Sequence, residues 1–235
     1  MPEVLFDGRY RSAVTLPEYR LGMSPANKGK TYPVEVLSEE EFDRLLGAIS
    51  RRGKAGKRNR AALALMWGCG LRIAEVLALE IKDIDLNSGT LTVLHGKGDK
   101  RRVLGIPPGC QAILEAWLQE RRGLGIGPGR PVFCVITKPR AGRELGHAYL
   151  REAVHEYGIR AGIEKRCHPH QLRHSFAVRA MRRGVPMPIL QRMLGHKSLA
   201  TTERYLRGLN PQDVIDAMRE DEWHDATSEP LAAAA

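Results

Sequence analysis

The sequence predicts a mainly α-helical domain carrying one small antiparallel β-sheet, an α+β fold. Three observations lead there. Apolar residues recur at helical spacing through most of the stretch from 38 to 220. A single segment, IDLNSGTLTVLHGKGDKRRVLGIP, alternates with period two instead. No internal repeat or heptad run suggests a solenoid or coiled coil. The 235 residues suffice for one domain with a real core and a small appendage.

The elements follow in order. Residues 1–33 contain Pro2, Pro17, Pro25 and Pro33 and sustain no period, so they read as a basic extended arm or linker. Ser38-Glu39-Glu40-Glu41 is a capping-box pattern, and Phe42, Leu45, Leu46 and Ile49 follow at helical spacing. A second helix is predicted over 58–68 from Leu63, Met66 and Trp67, and a third from near Arg72 with Val76, Leu77 and Leu79. The alternating segment predicts strands over about 82–86, 90–94 and 101–106, with turns at Asn87-Ser88-Gly89 and Gly96-Lys97-Gly98-Asp99. Helices are expected near 108–122, 146–160, 170–183, 187–194, 199–206 and 211–220, with loops from Gly125 to Pro131 and at Arg140-Ala141-Gly142-Arg143. The tail from 223 to 235 is polar, then small and apolar, and is expected to be disordered.

Composition narrows the function classes. The net charge of +10 suits a polyanionic partner, nucleic acid before membrane surface. No apolar run reaches the roughly 18 residues a membrane span needs, and MPEVLFDGRYRSAV lacks the apolar core of a secretory signal. Cys69, Cys110, Cys134 and Cys167 are scattered, which reads as reduced, mostly buried thiols in a cytoplasmic protein.

Cutting DNA without a metal needs a nucleophile in line with the phosphorus, cations on the non-bridging oxygens and a proton donor for the leaving oxygen. Arginine suits the oxygens because its planar fork matches two of them and keeps its proton. The chain offers Arg72 and Glu75 in Gly70-Leu71-Arg72-Ile73-Ala74-Glu75, then Lys97 at a glycine-flanked hairpin tip. His170, Arg173 and His174 lie in His170-Gln171-Leu172-Arg173-His174, with His170 and Arg173 a helical three-step apart. His196 follows in Leu194-Gly195-His196, and Tyr205 in Thr201-Thr202-Glu203-Arg204-Tyr205. Taken singly, each has a blander reading: a surface HxxR pair, a capped arginine, a solvated turn, an amphipathic rim tyrosine.

Their order and spacing resemble the tyrosine recombinase family of phage integrases and Xer-type resolvases, whose pattern is GxRxxE, a hairpin lysine, HxLRH, LGH and a tyrosine. Here the boxes read GLRIAEVLAL, HGKGDKRR, HQLRHSFA, MLGH and TTERY, with Arg173 23 residues before His196 and His196 nine before Tyr205. The resemblance covers roughly residues 34–220 and implies the tyrosine recombinase catalytic-domain fold over 34–222.

It also implies a chemistry. Tyr205 would attack the scissile phosphate and form a 3′-phosphotyrosyl bond. Arg72 and Arg173 would grip the non-bridging oxygens. Lys97 would protonate the leaving 5′ oxygen, His170 would assist proton transfer from Tyr205, and His196 would hydrogen-bond the phosphate. Glu75 would orient its neighbours, His170 or Arg72, and His174 would be structural. No metal, ATP or other cofactor is implied. Double-stranded DNA would be the partner, with Arg9, Arg11, Arg20, Lys28, Lys30, Lys100 and Arg101 tracking phosphates. The chain would be a monomer when free and a tetramer on DNA, open to a directionality factor. Residues 211–220 would dock into a neighbouring protomer or fold on their own core.

The family's core-binding domain has no counterpart in the 33 residues before the match, so the chain is expected to be the catalytic half of a recombinase or a minimal one. The closing Leu-Ala-Ala-Ala-Ala resembles degradation tags ending in Leu-Ala-Ala and implies a cytoplasmic protease as a further partner, an inert tail being the alternative. Rival readings are a catalytically silent DNA-binding relative and a topoisomerase of related chemistry. A metal site at Cys167, His168, His170 and His174 is disfavoured, because Pro169 breaks the segment and Arg173 would place a cation beside the metal.

Overall fold

The computed structural model describes residues 35–94, 101–196 and 202, all within one unit, Val34–Ala235. Helix α1 (Glu39–Gly47) opens it, and its start is set locally: Glu41 N–H donates to Ser38 Oγ at 3.1 Å, and Ser38 N–H donates to Glu41 Oε2 at 2.8 Å. Lys165 reaches the same carboxylate at 2.8 Å and ties the start of this helix to a segment 124 residues further along the chain.

Helix α2 (Lys54–Gly68) forms the centre, packed against α4 (Pro108–Gly123) and α6 (Pro169–Arg182). Every residue from Arg58 to Trp67 is buried, so this helix has no solvent face along that stretch. Its three buried polar residues are satisfied by other elements, Arg60 by the carbonyls of Leu46 and Ile49. Arg58 donates to Cys134 O at 2.9 Å and to the Tyr149 hydroxyl at 2.7 Å, and Asn59 donates to the Tyr157 hydroxyl at 2.8 Å. Tyr149 and Tyr157 belong to α5 (His147–Arg160), so these bonds fix α5 across the N-terminal half of α2. At the other end, Trp67 stacks on Phe42 with ring centroids 4.2 Å apart, and the Arg179 guanidinium lies 4.0 Å over its indole.

The short helix α3 (Ile73–Ala78) leads through a 3-10 turn (Ile81–Asp83) into an antiparallel sheet of β1 (Ile84–Asp85), β2 (Thr90–Val93) and β3 (Arg102–Gly105), ordered β1-β2-β3. Thr90 pairs with Gly105 and Val93 with Arg102, which turns Leu91, Val93 and Leu104 into the core. Helix α7 (Met187–Leu194) closes the described region and packs on α6 and β3. Among the described residues, no helix is long and apolar enough to cross a membrane.

Mainly α with one small sheet is the architecture observed, with several boundaries shifted by a residue or more. Helix α2 begins at Lys54 rather than 58. Lys54 to Lys57 carry no apolar stripe, but Gly56 lets the turn lie against the Ser50 backbone, where a Cβ would come within 2.1 Å of the Ser50 carbonyl oxygen. The first strand shrinks from 82–86 to Ile84–Asp85 because the Asp83 carboxylate accepts the Glu80 N–H at 2.9 Å and winds the preceding residues into the 3-10 turn. Strand β3 covers Arg102–Gly105 within the expected 101–106. The helix expected at 211–220 and the terminal arm and tail lie outside the described residues. Of 199–206, Thr202 is described, and it is helical and buried.

Candidate active site

The arginine and histidine boxes meet where α3, α6, α7 and β3 converge. The reason begins at Gly70. It sits at φ +65°, the left-handed region that favours glycine, and a Cβ there would lie 2.3 Å from a ring carbon of Phe176 on α6. This approach brings the Gly70 carbonyl against α6, where it accepts from Arg173 Nη1 at 2.6 Å. The next box is organised by Glu75 at the third position of α3. Its carboxylate accepts the Arg72 backbone N–H at 2.9 Å and Arg72 Nη1 at 2.7 Å. The bland reading of GxRxxE, a helix start with a capped arginine, is therefore correct, and it is also what aims Arg72.

Glu75 does more than cap. It is buried, and Arg102 of β3 grips it with both arms, Nη2 to Oε2 at 2.8 Å and Nη1 to Oε1 at 3.2 Å. Arg173 Nη1 stands 3.7 Å from the same carboxylate. Burial by itself pushes the Glu75 carboxyl up. The hydrogen bonds and charge of Arg102, with those of Arg72, overcome it and hold the group at about 2. One carboxylate thus remains ionised among three guanidinium groups, which leaves the cluster with an excess of positive charge.

Arg173 is 1% exposed and ties two elements together. Besides Gly70 O, it donates from Nη2 to Leu194 O at 2.6 Å, at the end of α7, and the same nitrogen lies 3.0 Å from His196 Nε2. Gly195 makes this corner possible by ending α7 at φ 63°, and the His196 N–H returns to Gln191 O at 3.1 Å. A guanidinium only donates, so Nε2 of His196 must present its lone pair, and the ring proton sits on Nδ1, 2.9 Å from Thr202 Oγ1. A continuous path therefore runs from Gly70 through Arg173 and His196 to Thr202, three residues before Tyr205.

The remaining expected positions divide clearly. His170 is exposed at the start of α6, its ring edge-on to the buried His174 at 4.1 Å. Glu75 accepts from Arg72, one of the two neighbours it was expected to orient. Arg101 is exposed beside β3. Lys97, Lys100, Tyr205 and Arg9, Arg11, Arg20, Lys28 and Lys30 lie outside the described residues. His168 of the rival metal reading accepts the Gln171 N–H at 3.2 Å and serves as the N-cap of α6. Cys69, in the loop before Gly70, is no competing nucleophile, because burial raises its thiol and keeps it protonated. Burial likewise pushes Cys110 up to about 11.

Sequence reasoning missed Arg102. It stands next to Arg101 in a basic run that reads as solvated, yet strand alternation places it on the inward face with Leu104. Period-two counting back from Leu104 is the signal that would have found it.

Fold and cluster together define a mainly helical domain in which Arg72, Arg102 and Arg173 surround one buried carboxylate. The Phage integrase family model matches residues 35–210. Tyrosine recombinase XerA of Pyrococcus furiosus is 37% identical over 178 residues, covering 76% of this chain and 58% of its own length. The crystal structure of XerA recombinase is similar with a TM-score of 0.69 at 28% identity, over 88% of this chain and 73% of that one. XerH site-specific recombinase bound to palindromic difH substrate, a post-cleavage complex, is similar with a TM-score of 0.65 at 31% identity, over 80% of this chain and 54% of that one. The chain belongs to the phage integrase family. It spans 58% to 60% of the length of the first curated relatives it matches.

Proposed function

We propose that this chain carries the catalytic apparatus of a site-specific DNA recombinase that cleaves and rejoins DNA through a 3′-phosphotyrosyl intermediate, without metal or ATP. The observation that carries the reading is the single hydrogen-bonded cluster of Arg72, Glu75, Arg173 and His196, with Thr202 joining it to the segment that contains Tyr205.

In this reading the Tyr205 oxygen attacks phosphorus as the P–O5′ bond breaks. The tyrosine proton leaves with help from His170, and Lys97 supplies a proton to the departing 5′ oxygen. Arg72 and Arg173 neutralise the non-bridging oxygens, each contact worth about 3–4 kcal/mol by analogy with oxyanion donors. His196 holds Arg173 in line and, once its ring proton moves to Nε2, donates to the phosphate. The new bond retains the energy of the old one, so a 5′ hydroxyl can reverse the step on either strand. Double-stranded DNA is the partner, bound by a tetramer that exchanges strands in pairs. The DNA-bound structure of XerH and the net charge of +10 support the DNA partner.

The test is to mix the protein with a randomised pool of nicked duplexes in EDTA, denature, and look for covalent protein–DNA adducts. The short fragment beside the nick diffuses away after cleavage and traps the intermediate. Adducts with the wild-type chain and none with Tyr205→Phe are expected. Adducts that persist in Tyr205→Phe, or none from the wild type even with a core-binding domain fused in front, overturn the reading.

A further inference from the structure

Arg102 touches both supports of the arginine pair. Its Nη1 and Nη2 form a fork on Glu75, the carboxylate that aims Arg72. Its Nε donates to Met193 O at 3.0 Å, in the last turn of α7, next to Leu194, whose carbonyl holds Arg173. The Arg102 and Glu75 side chains are 10% and 7% exposed, so the contact is well shielded from solvent. Three donors in one plane, two for a carboxylate and one for a carbonyl, are what a guanidinium offers and an ammonium cannot.

We infer that Arg102 is a positioning residue of the reaction: it locks Glu75 and the end of α7 into one frame, so that Arg72 and Arg173 are aligned before a phosphate arrives. Arg102 stands where the sheet meets the helices, so β3 is the rigid element against which both arginines are set. This rests on the proposed phosphoryl-transfer reading.

The test separates alignment from folding. A nicked duplex recovered from the trapping pool is prepared twice, once with an ordinary scissile phosphodiester and once with a neutral methylphosphonate there. If Arg102 acts by aligning cations against phosphate charge, Arg102→Ala and Arg102→Lys slow adduct formation on the phosphodiester about 10–100-fold. On the methylphosphonate, which has no charge to neutralise, most of that defect disappears. A defect of the same size on both probes, accompanied by a lower melting temperature, means a merely structural residue and overturns the proposal. So does an unchanged rate on the phosphodiester.

A second measurement needs no DNA. In Arg102→Gln, the Glu75 carboxyl, followed by 13C NMR, is expected to titrate higher than in the wild type, and the Arg173 guanidinium protons to exchange faster. Unchanged titration and exchange overturn the proposal whether or not the wild type cleaves. Absence of adducts from the wild-type chain counts against the recombinase reading alone, and the NMR result then decides the alignment.

Discussion

Glu75 shows how one residue serves stability and chemistry together. Its folded carboxyl lies at about 2, against an ordinary value of 4.5. A depressed value means the ionised form stabilises the fold, fully above the ordinary value and less as pH falls through the folded one. The contribution is on the order of 3 kcal/mol. Urea unfolding between pH 6 and pH 2 should therefore show a loss of stability that is smaller in Glu75→Gln than in the wild type, the remainder coming from other lowered carboxylates such as Glu41, and Glu75→Gln starts out less stable at pH 6. Parallel curves for the two proteins would contradict the assignment. Gly70 makes a second residue-scale case. Alanine there must adopt φ +65° and meet the Phe176 ring, at a cost of about 2–5 kcal/mol. Gly70→Ala should lower the urea midpoint and also slow cleavage, because the displaced carbonyl is the one that holds Arg173. The boxes containing these residues are legible in the sequence because short local rules shape them: a carboxylate three positions into a helix, a glycine at a left-handed corner. Arg102 is not legible in that way. Its partners, Glu75 and Met193, are 27 and 91 residues away, and nothing local distinguishes it from the solvated arginine beside it.

Among the elements, α2 sets the distance between the two ends of the domain. Its C-terminal end delivers Gly70 to α6, and Trp67 there is clasped between Phe42 and Arg179. Trp67→Ala removes a stack and a cation–π contact and leaves a cavity beneath α1, costing about 3–5 kcal/mol. The melting temperature should fall by about 6–20 °C; a shift below 3 °C would mean that α1 is not held by this contact. Helix type and order were readable from periodicity wherever one face is apolar, as in α1 and α7. The start of α2 was not, because its first turn, Lys54 to Lys57, is largely solvent-facing and carries no apolar stripe to mark it. Strand β1 was overextended for a different reason: Asp83, Ile84, Asp85 and Leu86 alternate polar and apolar, but the Asp83 side chain caps a turn. The corner after α7 was readable, since Leu194-Gly195-His196 combines an apolar end with the residue that tolerates a left-handed stop. Its pairing with Arg173 needed the fold.

At the scale of the molecule, the described helices and sheet place the described part of the motif pattern in one location. Arg72 comes from the start of α3, Arg173 from α6, His196 from the corner after α7 and Thr202 from the segment that follows. These residues are separated by as many as 130 positions in the chain, and a core built on α2 makes them neighbours. A positive charge excess concentrated on one buried carboxylate fits a partner that brings its own negative charge, as phosphodiester DNA does. In the proposed reading the cluster is the prepared half of such a site, and its nucleophile is Tyr205. The most direct measurement is mass-spectrometric mapping of the trapped protein–DNA adduct after proteolysis. The account predicts a single modified peptide, with a nucleotide joined through its 3′ phosphate to Tyr205. A nucleotide on any other residue, or one joined through its 5′ phosphate, would contradict it.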